Sequence, residues 1–161
     1  MAQVRDEILK EVKIPRGNWR NFSGVETKYN AAGKRNFNAF LTGEDAKKLK
    51  DAGWNVRYTK TREEGDIPQP YIKVNVNFGG KYPPKVVSVQ GPNKVDLDDT
   101  TVKNLDGADI EKAILILHPY VYDDEGHIAA YLREGMFICK RDYLEEMYSE
   151  LVDDGDESAP F

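Results

Sequence analysis

Apolar residues recur at every second position through the middle of this chain, the pattern of strands with one buried and one wet face. In residues 71–78, Ile72, Val74, Val76 and Phe78 fall on one side and Tyr71, Lys73, Asn75 and Asn77 on the other. Residues 35–41 set Phe37, Ala39 and Leu41 opposite Asn36, Asn38 and Phe40. Residues 127–133 set Ile128, Ala130 and Leu132 opposite Ala129, Tyr131 and Arg133. Residues 85–90 and 113–117 are further β-rich runs bounded by Pro and Gly. A short amphipathic helix interrupts the strands. Thr42 or Gly43 caps it, Glu44 and Asp45 suit its positive end, Ala46 and Leu49 face inward, and Gly53 ends it. A second helix is predicted over about residues 141–151, with Leu144, Met147, Tyr148 and Leu151 at helical spacing. Residues 1–14 mix charge with Val4, Ile8, Leu9 and Val12 and predict a short helix or a frayed arm, stopped by Pro15 and Gly17. Residues 61–69 and 96–107 are predicted as flexible connections, and the polar stretch after the second helix as disordered.

Short strands with a small helix between the early ones predict a mainly β chain: an OB-fold-like, five-stranded barrel followed by a C-terminal helix and a disordered acidic tail. A β-sandwich fits the same alternation, because periodicity does not give strand order. The expected division is an N-terminal arm or short helix over residues 1–15, a barrel domain with its closing helix over residues 16–151, and a tail over residues 152–161.

Composition narrows the setting. The 161 residues are 40% hydrophobic and 32% charged, which suits one soluble globular domain with a single core. No run approaches the roughly 20 apolar residues of a membrane span, and the N-terminus lacks the apolar core of a signal peptide. Cys139 is the only cysteine, so no internal disulfide forms; a reducing cytosol and an inert, partly buried thiol are expected. Charge is distributed unevenly. The whole chain carries −5, but the last twenty residues hold eight carboxylates and no Lys or Arg, leaving a mildly basic body.

Catalytic chemistry has little support. His118 and His127 lie beside no zinc-ligand motif, and Gly79-Gly80-Lys81 is too short for a phosphate loop. Asp96, Asp98 and Asp99 lack the glycine and downstream glutamate of a calcium loop, so a solvated turn is expected there. No enzyme activity, cofactor or metal is expected.

Binding chemistry is richer. Single-stranded nucleic acid needs cations for phosphates and flat rings on which bases stack. Residues 16–40 interleave both, and the mixture resumes at Trp54, Arg57, Tyr58, Lys60 and Arg62 and again around Tyr71, Lys73, Lys81, Tyr82 and Lys85. Phe37 and Trp54 read as core. The candidate stacking residues are Trp19, Phe22, Tyr29, Tyr58, Tyr71, Tyr82 and Tyr131. The candidate phosphate contacts are Arg20, Lys28, Lys34, Arg35, Arg57, Lys60, Lys73, Lys85 and Arg133. The rival reading is a β-barrel adaptor or inhibitor whose aromatic face binds a host protein and no nucleic acid.

Several short motifs carry a resemblance. Arg20-Asn21-Phe22-Ser23-Gly24, Lys28-Tyr29-Asn30, Gly33, Arg35-Asn36-Phe37, Gly53-Trp54-Asn55-Val56-Arg57, residues 71–78, Pro83-Pro84-Lys85-Val86 and Ala130-Tyr131-Leu132 resemble a family of bacteriophage single-stranded DNA-binding proteins, over roughly residues 16–148. The resemblance implies an oligonucleotide-binding barrel that coats ssDNA during replication or recombination in the cytoplasm of a bacterial host. The ending resembles the acidic tip of bacterial single-stranded DNA-binding proteins. That likeness implies that Asp153, Asp154, Asp156, Glu157, Pro160 and Phe161 dock on replication or recombination proteins, and the tail's own concentrated charge predicts that it competes with ssDNA for the basic body. Ser158 and Ala159 interrupt the acidic run where the tip would be most charged. Self-association of the chain stays open.

Overall fold

The structure is a computed structural model that describes residues 5–15, 17–28, 30–60, 63–122 and 127–140. The second predicted helix and the acidic tail lie outside these residues.

Nine strands among the described residues join in one sheet: β1 (Glu7–Val12), β2 (Arg20–Asn21), β3 (Arg35–Phe40), β4 (Val56–Tyr58), β5 (Pro70–Val76), β6 (Lys85–Gln90), β7 (Asn93–Leu97), β8 (Ile110–Val121) and β9 (Ile128–Cys139). The main path runs β1-β8-β9-β5-β3-β2, with β4 on β5 and the β6–β7 hairpin on β9. β5 and β9 pair in parallel, and so do β6 and β9; the other ladders are antiparallel. The ladders do not close into a ring. A single bridge, Phe40 N–H donating to Lys13 O at 2.8 Å, draws the chain after β1 against the end of β3. This mainly β arrangement is consistent with an OB-like fold, richer in strands than the five expected.

The core follows from the alternation. Ile72, Val74 and Val76 of β5, Phe37 and Ala39 of β3, and Ile128, Ala130 and Leu132 of β9 are all buried, as their sequence periodicity predicts. Phe22 stacks on Phe37 with centroids 4.9 Å apart, and Phe137 meets both edge-on at 5.5 and 5.6 Å. Burying each such ring is worth roughly 1.5–3 kcal/mol. Gly135 makes room for them: a Cβ there would sit 2.8 Å from Phe137 Cε2.

Two expectations are corrected, and two predicted strands run longer than expected. Residues 7–12 are neither helix nor frayed arm but strand β1, paired with β8, with Leu9 and Val12 buried. The helix-like spacing of those two residues comes from a register shift between them, which turns both inward. Residues 96–107 are not a structureless connection. They finish β7 and then form a 3-10 helix, Val102–Asp106, that buries Val102 and Leu105. The runs at 113–117 and 127–133 belong to strands of 12 residues each. Pro119 is tolerated inside β8 because the β1 ladder ends at Leu117, and among the described residues no strand pairs with that edge to need the missing N–H. The early helix α1 (Gly43–Asp51) forms as predicted, with Thr42 Oγ1 accepting from Asp45 N–H at 3.1 Å and Ala46 and Leu49 buried.

Candidate nucleic-acid interface

Strand register assembles one outward face. Across β3 and β5, Asn36 lies opposite Asn75, Asn38 opposite Lys73, and Phe40 opposite Tyr71. These residues alternate along their strands with the buried ones, and directly opposed residues share a face. On the other edge of β5, Arg57 of β4 lies opposite Tyr71 and Tyr131 of β9 opposite Asn75. His118 of β8 continues the second row beyond Tyr131.

Rings gather at the two ends of this face. At one end Trp19 packs edge-on against Phe40 at 5.2 Å and Tyr71 at 5.1 Å. The short 3-10 helix Gly17–Trp19 and the two-residue β2 bring Trp19 there, and its carbonyl accepts from Asn38 Nδ2 at 3.4 Å. At the other end Tyr131 meets Tyr120 at 5.8 Å, with Tyr82 on the neighbouring loop 79% exposed. Asn75 lies four residues along β5 from Tyr71, about 13 Å at strand rise. Between the two ends lie exposed Lys73 and a strip of asparagines. Asn75 Nδ2 donates to Ala130 O at 3.1 Å and Asn36 Nδ2 to Asn30 Oδ1 at 2.8 Å, which fixes both amides at the surface.

Of the residues nominated from sequence, Trp19, Arg57, Tyr71, Lys73, Tyr82, Tyr131 and Arg133 border this face or its far end. Lys28 and Lys34 are exposed in the loop between β2 and β3, Lys60 just beyond β4, and Lys85 at the start of β6. Two nominations are overturned by burial. Arg20 is 7% exposed and its guanidinium donates to the carbonyls of Ile14, Leu105 and Ala108, so it is not available to a phosphate. Phe22 is 0% exposed and stacks inside the core. Two more point elsewhere. Arg35 donates to Asp99 O at 2.7 Å and lies over the Phe78 ring, and Tyr58 faces Lys50 of α1. Tyr29 lies outside the described residues, as do Asp153, Asp154, Asp156, Glu157, Pro160 and Phe161 of the tail.

Phe40, Asn36, Asn38, Asn75 and Tyr120 were not nominated, although all stand on or beside the face. The signal for the first three was present: they alternate with buried Phe37 and Ala39.

The acidic groups near the β7 end form a local motif. Asp98 Oδ1 accepts from the N–H and hydroxyl of both Thr100 and Thr101, and Thr101 Oγ1 accepts from Asp98 N–H. The Thr100 hydroxyl bond, reinforced by the other donors, lowers the Asp98 carboxyl from 3.8 to about 2. Among the described residues no group of three or more His, Cys, Asp or Glu could hold a metal ion, and no helix is long and apolar enough to cross a membrane.

Exposed rings, cations and amides on one side of an OB-like sheet are the groups that nucleic-acid binding uses. The chain matches the family model described as "Putative phage ssDNA-binding domain" over residues 1–158, and it belongs to that family. No curated protein matches it.

Proposed function

We propose that this protein binds single-stranded DNA with little sequence preference along the outward face of β3, β5 and β9, and protects it during phage DNA replication or recombination in the host cytoplasm. The observation that carries this reading is the register of β5: it sets Tyr71, Lys73 and Asn75 outward in line with Phe40, Asn38 and Asn36, while every partner residue between them is buried. Bases stack on Trp19, Phe40 and Tyr71 at one end and on Tyr131 and Tyr82 at the other. Lys73, Arg57 and Arg133 hold phosphates, with Lys28, Lys34, Lys60 and Lys85 extending the basic rim. Ring faces accept any base, so the platform is sequence-tolerant.

The acidic C-terminal segment acts on the same face from within the chain. Its carboxylates, held at an effective concentration on the order of millimolar, compete with ssDNA and become free to engage replication or recombination proteins when DNA binds.

Titration of a fluorescent oligo-dT at several salt concentrations tests the main reading. Binding that falls steeply with salt, and a duplex that binds far more weakly, are the expected results. Absent or salt-independent binding would contradict it.

A further inference from the structure

Beside the Tyr131 end of the face lies a cleft of about 510 Å³, formed between residues 77–83 and the paired ends of β8 and β9. Its volume falls within the range of small-molecule sites, whereas the rest of the face is an open sheet. Three tyrosines line it. Tyr131 and Tyr120 meet at an interplanar angle of 70°, and Tyr82 stands opposite on its loop with Lys81 Nζ 5.6 Å from its ring centroid. Rings that are exposed by 56% at Tyr120 and 79% at Tyr82 contribute little to the core, so their place in the cleft has no packing explanation.

The cationic wall is already occupied by an anion from the chain itself. Arg133 Nη1 lies 3.0 Å from Asp6 Oδ2, and His118 Nδ1 lies 2.8 Å from Asp6 Oδ1. One carboxylate thus receives a guanidinium and an imidazole through its two oxygens, the donor set that two phosphate oxygens would also satisfy. The Arg133 side chain is 52% exposed, and a pair so exposed is weak and exchanges readily.

We propose that this cleft takes one unpaired nucleotide of the bound strand, and that Asp6 holds the position of its phosphate until the strand arrives. The proposal rests on the ssDNA reading of the neighbouring face and deepens it. Tyr131 lies opposite Asn75, so a strand following β5 from the Trp19–Tyr71 end reaches the cleft without leaving the sheet. The base enters among the three tyrosines. Its phosphate takes over Arg133 from Asp6, with Lys81 at the mouth of the cleft.

The test titrates fluorescent oligo-dT into the full chain and into Tyr82→Ala, Tyr120→Ala and Asp6→Asn variants, with a thermal melt on each. The tyrosine variants lose about tenfold in affinity at unchanged melting temperature, because each removes one ring from the nucleotide. Asp6→Asn gains about two- to fivefold, since the resident anion no longer competes. The opposite sign matters: a purely structural Asp6 would lower affinity or leave it unchanged when removed. The proposal requires both shifts, and the absence of either overturns it. If the wild-type chain binds oligo-dT while the variants match it, the cleft assignment falls and with it the stacking role of Tyr82, while the Trp19–Tyr71 end of the face stands. If the wild-type chain fails to bind, the reading of the whole face falls with it.

Discussion

Arg20 places its guanidinium among the carbonyls of Ile14, Leu105 and Ala108, so one side chain ties the segment after β1 to the 3-10 helix more than eighty residues later. Asp106 repeats the tie from the other side, accepting from Phe22 N–H at 2.7 Å and Ser23 N–H at 3.1 Å. Hydrogen bonds to a charged donor contribute about 1.5–3 kcal/mol each, and their loss leaves buried carbonyls unsatisfied. Arg20→Met is therefore expected to destabilise the fold by about 3 kcal/mol or more in urea denaturation, while the salt dependence of DNA binding by the folded fraction stays as in wild type. A phosphate-contacting arginine would instead reduce the salt slope by about one. Gly135 gives a second residue-scale prediction. Gly135→Ala drives a methyl into Phe137 and is expected to cost about 1–3 kcal/mol, read as a lower denaturation midpoint.

At the scale of elements, β5 carries the account. Tyr71→Ala or Trp19→Ala removes a stacking ring and is expected to weaken oligo-dT binding by about tenfold. Lys73→Ala lowers the slope of log affinity against log salt by about one. The turn after β7 has its own pH signature. Because folding depresses the Asp98 carboxyl from 3.8 to about 2, its contribution to stability is fully present above pH 3.8 and disappears as pH falls toward 2. Acid titration of wild type against Asp98→Asn is expected to show a stability difference that shrinks through that window. Legibility also varied by element. The alternation of residues 71–76 and the cap at Thr42 were readable because burial and capping are local. β1 was not, since the shift between Leu9 and Val12 mimics helical spacing. Nor was the hairpin of β6 and β7, whose two-residue turn is Gly91-Pro92 with Gly91 at φ 60°.

Across the whole molecule, a mildly basic body carries a strongly acidic C-terminal segment, and the account assigns them opposing roles at one surface. Deleting residues 153–161 is expected to raise ssDNA affinity and to abolish capture of a replication or recombination protein. Equal affinity and capture after the deletion would reduce the segment to a solubility extension. The candidate site was half legible at this scale. Tyr71, Lys73 and Tyr131 could be nominated from their own strands, but which nominated residues meet depends on long-range register such as Asn75 with Tyr131. Arg20 and Phe22 look in sequence like members of the same aromatic and basic run, and only the packing of Leu105 and Phe137 against them reveals that they face inward. The central claim, that ssDNA lies along the outward face of β3, β5 and β9, is tested most directly by photo-crosslinking an oligonucleotide carrying bromodeoxyuridine and mapping the adducts by mass spectrometry. The account predicts adducts at Trp19, Tyr71 and Tyr131; adducts confined to α1 or to β7, or none on this face, would contradict it.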